Sequence, residues 1–477
     1  MESRRLHDLT ELLGRDALLY KPEDMLLYEY DGSVDRAQPD CVVFPRTTAD
    51  VVGIVRLANR YDMPIVGRGA GTGLSGGAIA RAGGIMVAFP RMNRILEIDA
   101  ENQRAVVQPG VVNSDLSAAV AHLGLHFAPD PSSQKACTIG GNVSENSGGP
   151  HTLAYGVTTN HVLALEVVLP TGELVNLGSS ALDSPGYDLT GLFVGSEGTF
   201  GLVTAITVKL TRLPEAVKTL LAVYDSVDDA TETVVEITAR GITPAACEML
   251  DGWTIRAVET YVHAGFPLDA AAILLIDVDG LREEAESAAE EVARVCRLHH
   301  ARDVRIARDD RERDLLWKGR KNAFGAAGRL APNYYTQDGV IPRTKLPATL
   351  RYIAEIAKKH NLQIGNVFHA GDGNLHPIIL FDERNETQFR AAIQAADEII
   401  AFCIRMGGAI TGEHGVGMEK DRLMPLLFSE ADLALMRGVR DVFNPSGLLN
   451  PGKIFPTSKG CGEIRARRSL PAGATAS

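Results

Sequence analysis

The rhythm of apolar residues changes once along this chain, near Pro214. Upstream, short apolar runs alternate with glycine-rich stretches. Cys41-Val-Val-Phe and Pro64-Ile-Val read as strands. Between them the pattern predicts a helix with Val51, Val52, Ile54, Val55 and Ala58 on its apolar face, capped by Thr48 or Asp50. Further strands are predicted at 85–89, 95–98 and 105–107, with a turn at Asp99-Ala-Glu-Asn. A helix over 114–123 ends at Gly124, a residue suited to the left-handed position after a helix. Strands at 163–169 and 174–177 flank Pro170-Thr-Gly-Glu, and another follows at 203–210.

Downstream, runs at 220–223, 227–240, 274–278 and 281–297 alternate strand and helix without glycine loops. That pattern predicts an antiparallel α+β unit. The division is therefore an N-terminal helical arm at 1–37, a glycine-looped domain at 38–215 and a second domain at 216–425. Residues 426–456 return through a helix near 432–442, and residues 457–477 lack an apolar pattern and are expected to be disordered.

Composition narrows the classes. The chain has 477 residues, 45% apolar and 23% charged, as expected of a globular protein. Its net charge of −12 argues against nucleic acid as a partner. No apolar run approaches the ~20 residues of a membrane span, so no membrane insertion is expected. The opening Met1-Glu-Ser-Arg-Arg-Leu lacks the apolar core of a signal peptide, which suggests a cytoplasmic protein. The six cysteines form no C-x-x-C and no close cluster, so an iron–sulfur centre within the chain is not expected.

Eight glycines lie between Gly67 and Gly84. Gly71, Gly73 and Gly76 spell G-x-G-x-x-G, but a Rossmann site needs a helix to start inside that motif. Residues 74–84 contain four glycines, each costing about 1 kcal/mol in a helix. A Rossmann reading is therefore rejected. The loop can still cradle phosphate with its backbone N–H groups, helped by Thr72 and Ser75. A second stretch, Pro129–Gly149, pairs small residues with amides and hydroxyls. A third is Gly195-Ser-Glu-Gly-Thr-Phe-Gly. Three such stretches suit close backbone approach to a large planar ligand.

Farther on, Gly365-Asn-Val-Phe-His-Ala-Gly-Asp-Gly-Asn-Leu-His reads as a hairpin that could bring His369 and His376 to one side. A strand at 409–411 leads into Glu413 and His414. Two histidines and a carboxylate suit zinc or a similar divalent ion with an open position.

Phe44-Pro-Arg-Thr-Thr-Ala-Asp-Val, the loop 68–77, Thr138-Ile-Gly-Gly-Asn-Val and Gly195-Ser-Glu-Gly-Thr-Phe-Gly resemble the FAD-binding domain of the vanillyl-alcohol oxidase/p-cresol methylhydroxylase (PCMH) superfamily. His369-Ala-Gly-Asp-Gly-Asn-Leu-His, Gly412-Glu-His-Gly and Asn444–Lys453 resemble the FAD-linked oxidase C-terminal domain of D-2-hydroxy-acid dehydrogenases. Leu316-Trp-Lys-Gly-Arg-Lys-Asn-Ala-Phe, Tyr334-Tyr-Thr-Gln-Asp-Gly and Leu182-Asp-Ser-Pro-Gly-Tyr-Asp-Leu are similar to the catalytic flavoprotein subunits of the glycolate oxidase group.

The resemblance implies an α+β chain: a two-part PCMH-type FAD-binding domain with an antiparallel α+β cap. It implies FAD contacts from Arg68, Gly69, Ala70, Gly71, Thr72, Gly73, Ser75 and Gly76. Others are Pro131, Ser132, Thr138, Gly141, Asn142, Asn146, Gly148, Gly149, Glu197, Gly198, Gly201 and Asn450. The FAD is expected to be non-covalent, since the loop 68–77 has no histidine or cysteine to tether it; His151 and Cys137 are the alternatives nearby. His369, His376 and Glu413 match the family's metal ligands, His414 its general base and Arg320 its substrate-carboxylate arginine.

The implied reaction is oxidation of a small D-2-hydroxy acid, glycolate or D-lactate, to the 2-oxo acid. Electrons would leave through iron–sulfur and second flavin subunits of a glycolate-oxidase-like complex, peripheral at the inner membrane through those partners. Where the branch acting on larger diacids has a lysine before the aspartate, this chain has Tyr334-Tyr-Thr-Gln. Where that branch has an asparagine after the second histidine, it has Ile378. Both losses favour a short substrate. The competing readings are a non-catalytic flavin subunit, a dehydrogenase for a larger acid, a metallohydrolase and a free-standing oxidase.

Overall fold

The computed structural model describes residues 3–181 and 185–456. Leu182-Asp-Ser and the tail 457–477 lie outside the described residues.

The N-terminal arm holds a helix, Ser3–Leu13, then short 3₁₀ turns and the two-residue strand Leu18–Leu19. That strand pairs antiparallel with Cys41–Val43, which continues through parallel pairs to Ile85–Ala88 and Ile65–Arg68. The crossover is the helix Thr48–Tyr61, which buries Val51, Ile54, Val55 and Ala58. Its cap is Thr47 rather than Thr48 or Asp50: Thr47 and Asp50 form a reciprocal capping box.

A second sheet is wholly antiparallel, in the order Ile95–Asp99, Arg104–Val107, Leu202–Lys209, Val162–Val168, Leu174–Gly178. Its core closes on Leu116 and Val120 of the helix Asn113–Val120, and on Ile139 and Val143.

After Pro214 the chain builds a seven-stranded sheet whose pairs are all antiparallel. Along Ala216–Tyr224 successive side chains alternate between two cores, as the strand's two-residue period requires. Leu220, Ala222 and Tyr224 join one core with Val234, Val292 and Ile353. Leu221 and Val223 join the other with Ile255, Val258 and Leu316. The register sets Glu248 opposite His369 on adjacent strands.

Two expected elements differ. The stretch 138–149 is not all loop: Thr138 accepts the N–H of Gly141 and starts the helix Ile139–Glu145. The strand expected at 409–411 is a single bridge from Ala409 to Val340. The chain then returns to the first sheet, where Asn450 N–H bonds Ile65 at 2.7 Å. Among the described residues no helix is long and apolar enough to cross a membrane.

Candidate active site

A cavity of about 360 Å³ lies where the glycine stretches meet the seven-stranded sheet. Residues from 67–74, 131–147 and 197–203 wall one side; Lys321, Phe324, Tyr334, His376, Glu413 and His414 wall the other. Its size is that of a ligand pocket.

The glycine side is built for close backbone approach. Residues 74–84 form turns and no helix, as the glycine content predicts. Gly71 has φ +71° and packs so closely on the Arg68 guanidinium that a Cβ there would collide with it. A Cβ on Gly69 would collide with the Thr138 hydroxyl. Arg68 is buried, and its Nη1 has no hydrogen-bond partner among the described residues. A buried guanidinium left open above a glycine cradle fits an anionic, phosphate-bearing cofactor.

Of the residues expected to touch FAD, Arg68, Gly69, Ala70, Gly71, Thr72, Gly73, Pro131, Ser132, Thr138, Gly141, Asn142, Glu197, Gly198 and Gly201 line the cavity. Ser75, Gly76, Asn146, Gly148, Gly149 and Asn450 stand behind its wall. Ser75 Oγ donates to the carbonyl of His414 at 2.9 Å. Asn450 Nδ2 donates to the carbonyls of Gly77 and Glu197 at 3.0 and 2.6 Å. Asn146 caps its helix in the left-handed region and accepts the N–H of Thr159. A Cβ on Gly148 would press on Glu413, and one on Gly149 on Asp130. Cys137 lines the cavity, with burial pushing its thiol pKa up. His151 does not line it; its ring bonds Asp130 at 3.0 Å and stacks on Trp317.

On the opposite wall the hairpin sets the His369 and His376 rings 4.9 Å apart. Glu413 Oε1 lies 3.1 Å from Nε2 of each. One ligand atom from each of the three residues can gather within 4.8 Å of the others. The other ring nitrogens are engaged: His369 Nδ1 with Glu248 at 2.7 Å, His376 Nδ1 with the Gln337 carbonyl at 3.3 Å. Both Nε2 atoms are thereby directed inward, as a metal ligand set requires.

His414 stacks on His376 with centroids 4.9 Å apart. Burial outweighs the nearby Asp338 and lowers its pKa to about 4, so the imidazole is neutral and able to accept a proton. Its loop is held by Asp338, whose Oδ2 accepts the N–H groups of Gly412, Glu413 and His414 at 2.9, 2.8 and 2.8 Å. Lys420 pairs with Oδ1.

Arg320 does not line the cavity. It is buried against Glu248, with Nε and Nη2 at 2.6 and 2.5 Å from Oε2, and only Nη1 lacks a partner among the described residues. Sequence reasoning missed Glu145, Lys321, Phe324, Tyr334, Asp338 and Glu248. Tyr334 and Asp338 stand in a quoted motif, and Lys321 and Phe324 follow Arg320 in another, so their position was visible but their role was not. Glu145 stands inside the second stretch, 129–149, with its role not visible there, and Glu248 carries no local signal.

The profile described as "FAD binding domain" matches residues 39–178, and that described as "FAD linked oxidases, C-terminal domain" matches 213–454. Glycolate oxidase subunit GlcD of Escherichia coli K12 is 47% identical over 450 residues, covering 94% of this chain and 90% of that protein. D-lactate dehydrogenase of Anaerostipes hadrus is 33% identical over 428 residues, covering 88% and 90%. A crystal structure of p-cresol methylhydroxylase with substrate bound superposes with a TM-score of 0.81 at 18% identity, covering 94% and 96%. That likeness fixes the fold: a PCMH-type FAD-binding domain with an α+β cap. With both domains present and GlcD matched along nearly its whole length, the chain belongs to the FAD-linked oxidases, in the group that includes glycolate oxidase subunit GlcD and D-lactate dehydrogenase.

Proposed function

We propose that this enzyme oxidises a short D-2-hydroxy acid, glycolate or D-lactate, to the 2-oxo acid. The observation that carries the reading is the convergence of His376, Glu413 and His414 on the cavity that the glycine loops wall from the other side. Non-covalent FAD, when bound, supplies the acceptor for the hydride leaving the substrate's C2. A divalent ion such as zinc would be held by His369, His376 and Glu413, and would stabilise developing charge on the hydroxyl oxygen.

The chain's own residues do the rest. His414, neutral and buried, accepts the hydroxyl proton at a ring nitrogen. Asp338 and Lys420 hold its loop in place. Lys321, on the cavity wall, supplies positive charge for the substrate carboxylate, and Arg320 stands behind that wall paired with Glu248. Phe324 and Tyr334, with ring centroids 6.2 Å apart, line the wall with largely apolar surface, which suits a short substrate better than one with a second carboxylate. Two further readings belong to this proposal: the division of the chain at 213–216, and passage of electrons to iron–sulfur and flavin partner subunits, in a cytoplasmic complex peripheral at the membrane. The GlcD relatives are named as subunits, which supports the partners.

The test is anaerobic titration of the purified protein with glycolate, D-lactate and L-lactate. Bleaching of the oxidised flavin by the first two and not by the third is expected. A flavin that none of them bleaches would overturn the substrate assignment.

A further inference from the structure

Two carboxyl groups meet behind the loop that carries His414. Glu145 is the last residue of the helix Ile139–Glu145, and Glu197 occupies a left-handed turn, φ 52°. Both line the cavity. Gly415 packs against both, and a Cβ there would collide with Oε2 of Glu145 and Oε1 of Glu197. No L side chain fits that point; φ at Gly415 is also +84°.

The hydrogen bonds distinguish the two groups. Glu197 accepts the N–H of Val416 at Oε1 and that of Gly417 at Oε2, each at 2.7 Å. It is the better anion of the pair. Glu145 Oε2 is buried and has no partner among the described residues. Cations stand near but are committed elsewhere. Lys420 bonds Asp338 and the Gly415 carbonyl; Lys453 donates to the Ile79 carbonyl at 2.6 Å. Asp31, from the N-terminal arm, adds a further negative charge facing Glu145.

We propose that Glu145 is a neutral acid in the working enzyme, sharing its proton with Glu197, and that this proton clamps the His414 loop against the FAD-lining helix. Burial, then Glu197, raises the Glu145 pKa well above that of an ordinary carboxyl, which agrees with this arrangement. Glu145 is a positioning residue. When the proton is lost, two carboxylates confront each other beside Gly415. The seam between the glycine side and the catalytic side then loosens. The inference rests on FAD occupying the cavity and is independent of which acid is oxidised.

The test compares wild type with Glu145→Gln, whose amide can donate to Glu197 as the acid does. FAD affinity of the reconstituted protein is measured from pH 6 to 10, with infrared spectra of the holoprotein at pH 7. Wild type is expected to lose about tenfold in FAD affinity toward high pH, one pKa unit's worth. E145Q, whatever its affinity at pH 7, is expected to vary by no more than about twofold across that range. The carboxylic-acid C=O band that shifts in D₂O should be weaker in E145Q than in wild type, with Glu419, whose pKa burial raises to about 8, contributing to both.

A flat wild-type profile, or no difference in the acid band, would overturn the proposal. So would a pH step that persists in E145Q, which would assign it to Lys453 or Glu419, both titrating at about 8. If E145Q does not fold, Glu197→Gln removes the second charge and should likewise abolish the step; a step retained there is equally fatal.

Discussion

At the level of single residues, His414 and Glu248 separate chemistry from scaffolding. His414→Asn removes the proposed base while keeping a polar side chain. Flavin reduction by glycolate should slow by about 10²- to 10⁴-fold, with the flavin spectrum and metal content unchanged in the same sample. Glu248 is different, because it does not line the cavity. It is buried between Arg320 and His369. Burial alone would raise its pKa, but Arg320 and His369 hold it below the ordinary value. Glu248→Ala strands a buried guanidinium, and breaking such a pair typically costs about 3–5 kcal/mol. Urea unfolding should show that loss. A stability within 1 kcal/mol of wild type, as a rough bound, would mean Arg320 turns to another partner.

At the level of elements, the join between the glycine-looped half and the cap is polar and titratable. His151 bonds Asp130 and stacks on Trp317 with centroids 5.6 Å apart; Lys321 lies 3.8 Å from Asp130, and the Tyr155 hydroxyl donates to Asp279 at 2.5 Å. Burial opposes the His151 charge, but Asp130 prevails and raises the pKa to about 9. A pKa raised on folding stabilises the folded state fully below the unfolded value, about 6.5. That contribution fades as pH rises through about 9. The melting temperature of wild type should therefore fall between pH 6.5 and 9 by more than that of His151→Gln. Parallel curves would remove His151 from the join.

This is also the scale at which the pattern misled. Three residues of the run Thr138-Ile-Gly-Gly-Asn argue against a helix, yet the Thr138 cap and burial of Ile139 and Val143 outweigh the cost of two glycines. At 409–411 the apolar run is too short to hold a ladder and keeps one bridge.

For the whole molecule, the two walls of the cavity make separable predictions. A chelator that strips a divalent ion from His369, His376 and Glu413 should abolish bleaching by glycolate and leave the oxidised flavin band in place. Added zinc should restore the activity. If bleaching survives with the metal demonstrably gone, the triad is structural. Lys321→Ala acts on the same wall through charge: KM for glycolate should rise about tenfold, the worth of one charge-assisted hydrogen bond, with flavin content unchanged.

The sequence alone determined the parts whose cause is local. Glycine at 76, 77, 83 and 84 rules out a helix there, because the cost is paid residue by residue. The two-residue period marks the strands, and the hairpin around Gly371 and Gly373 brings His369 to His376. Only the tertiary structure decided the partners of those groups. Glu248 is 121 residues from His369, Asp338 is 75 from Glu413 and Lys420 is 82 from Asp338. Such pairs depend on sheet register and loop return, which no local spacing encodes. Arg320 shows the difference most directly. Its motif marks it as an anion-binding residue, but the fold turns two of its three nitrogens toward Glu248, because a buried guanidinium must first be neutralised where it lies.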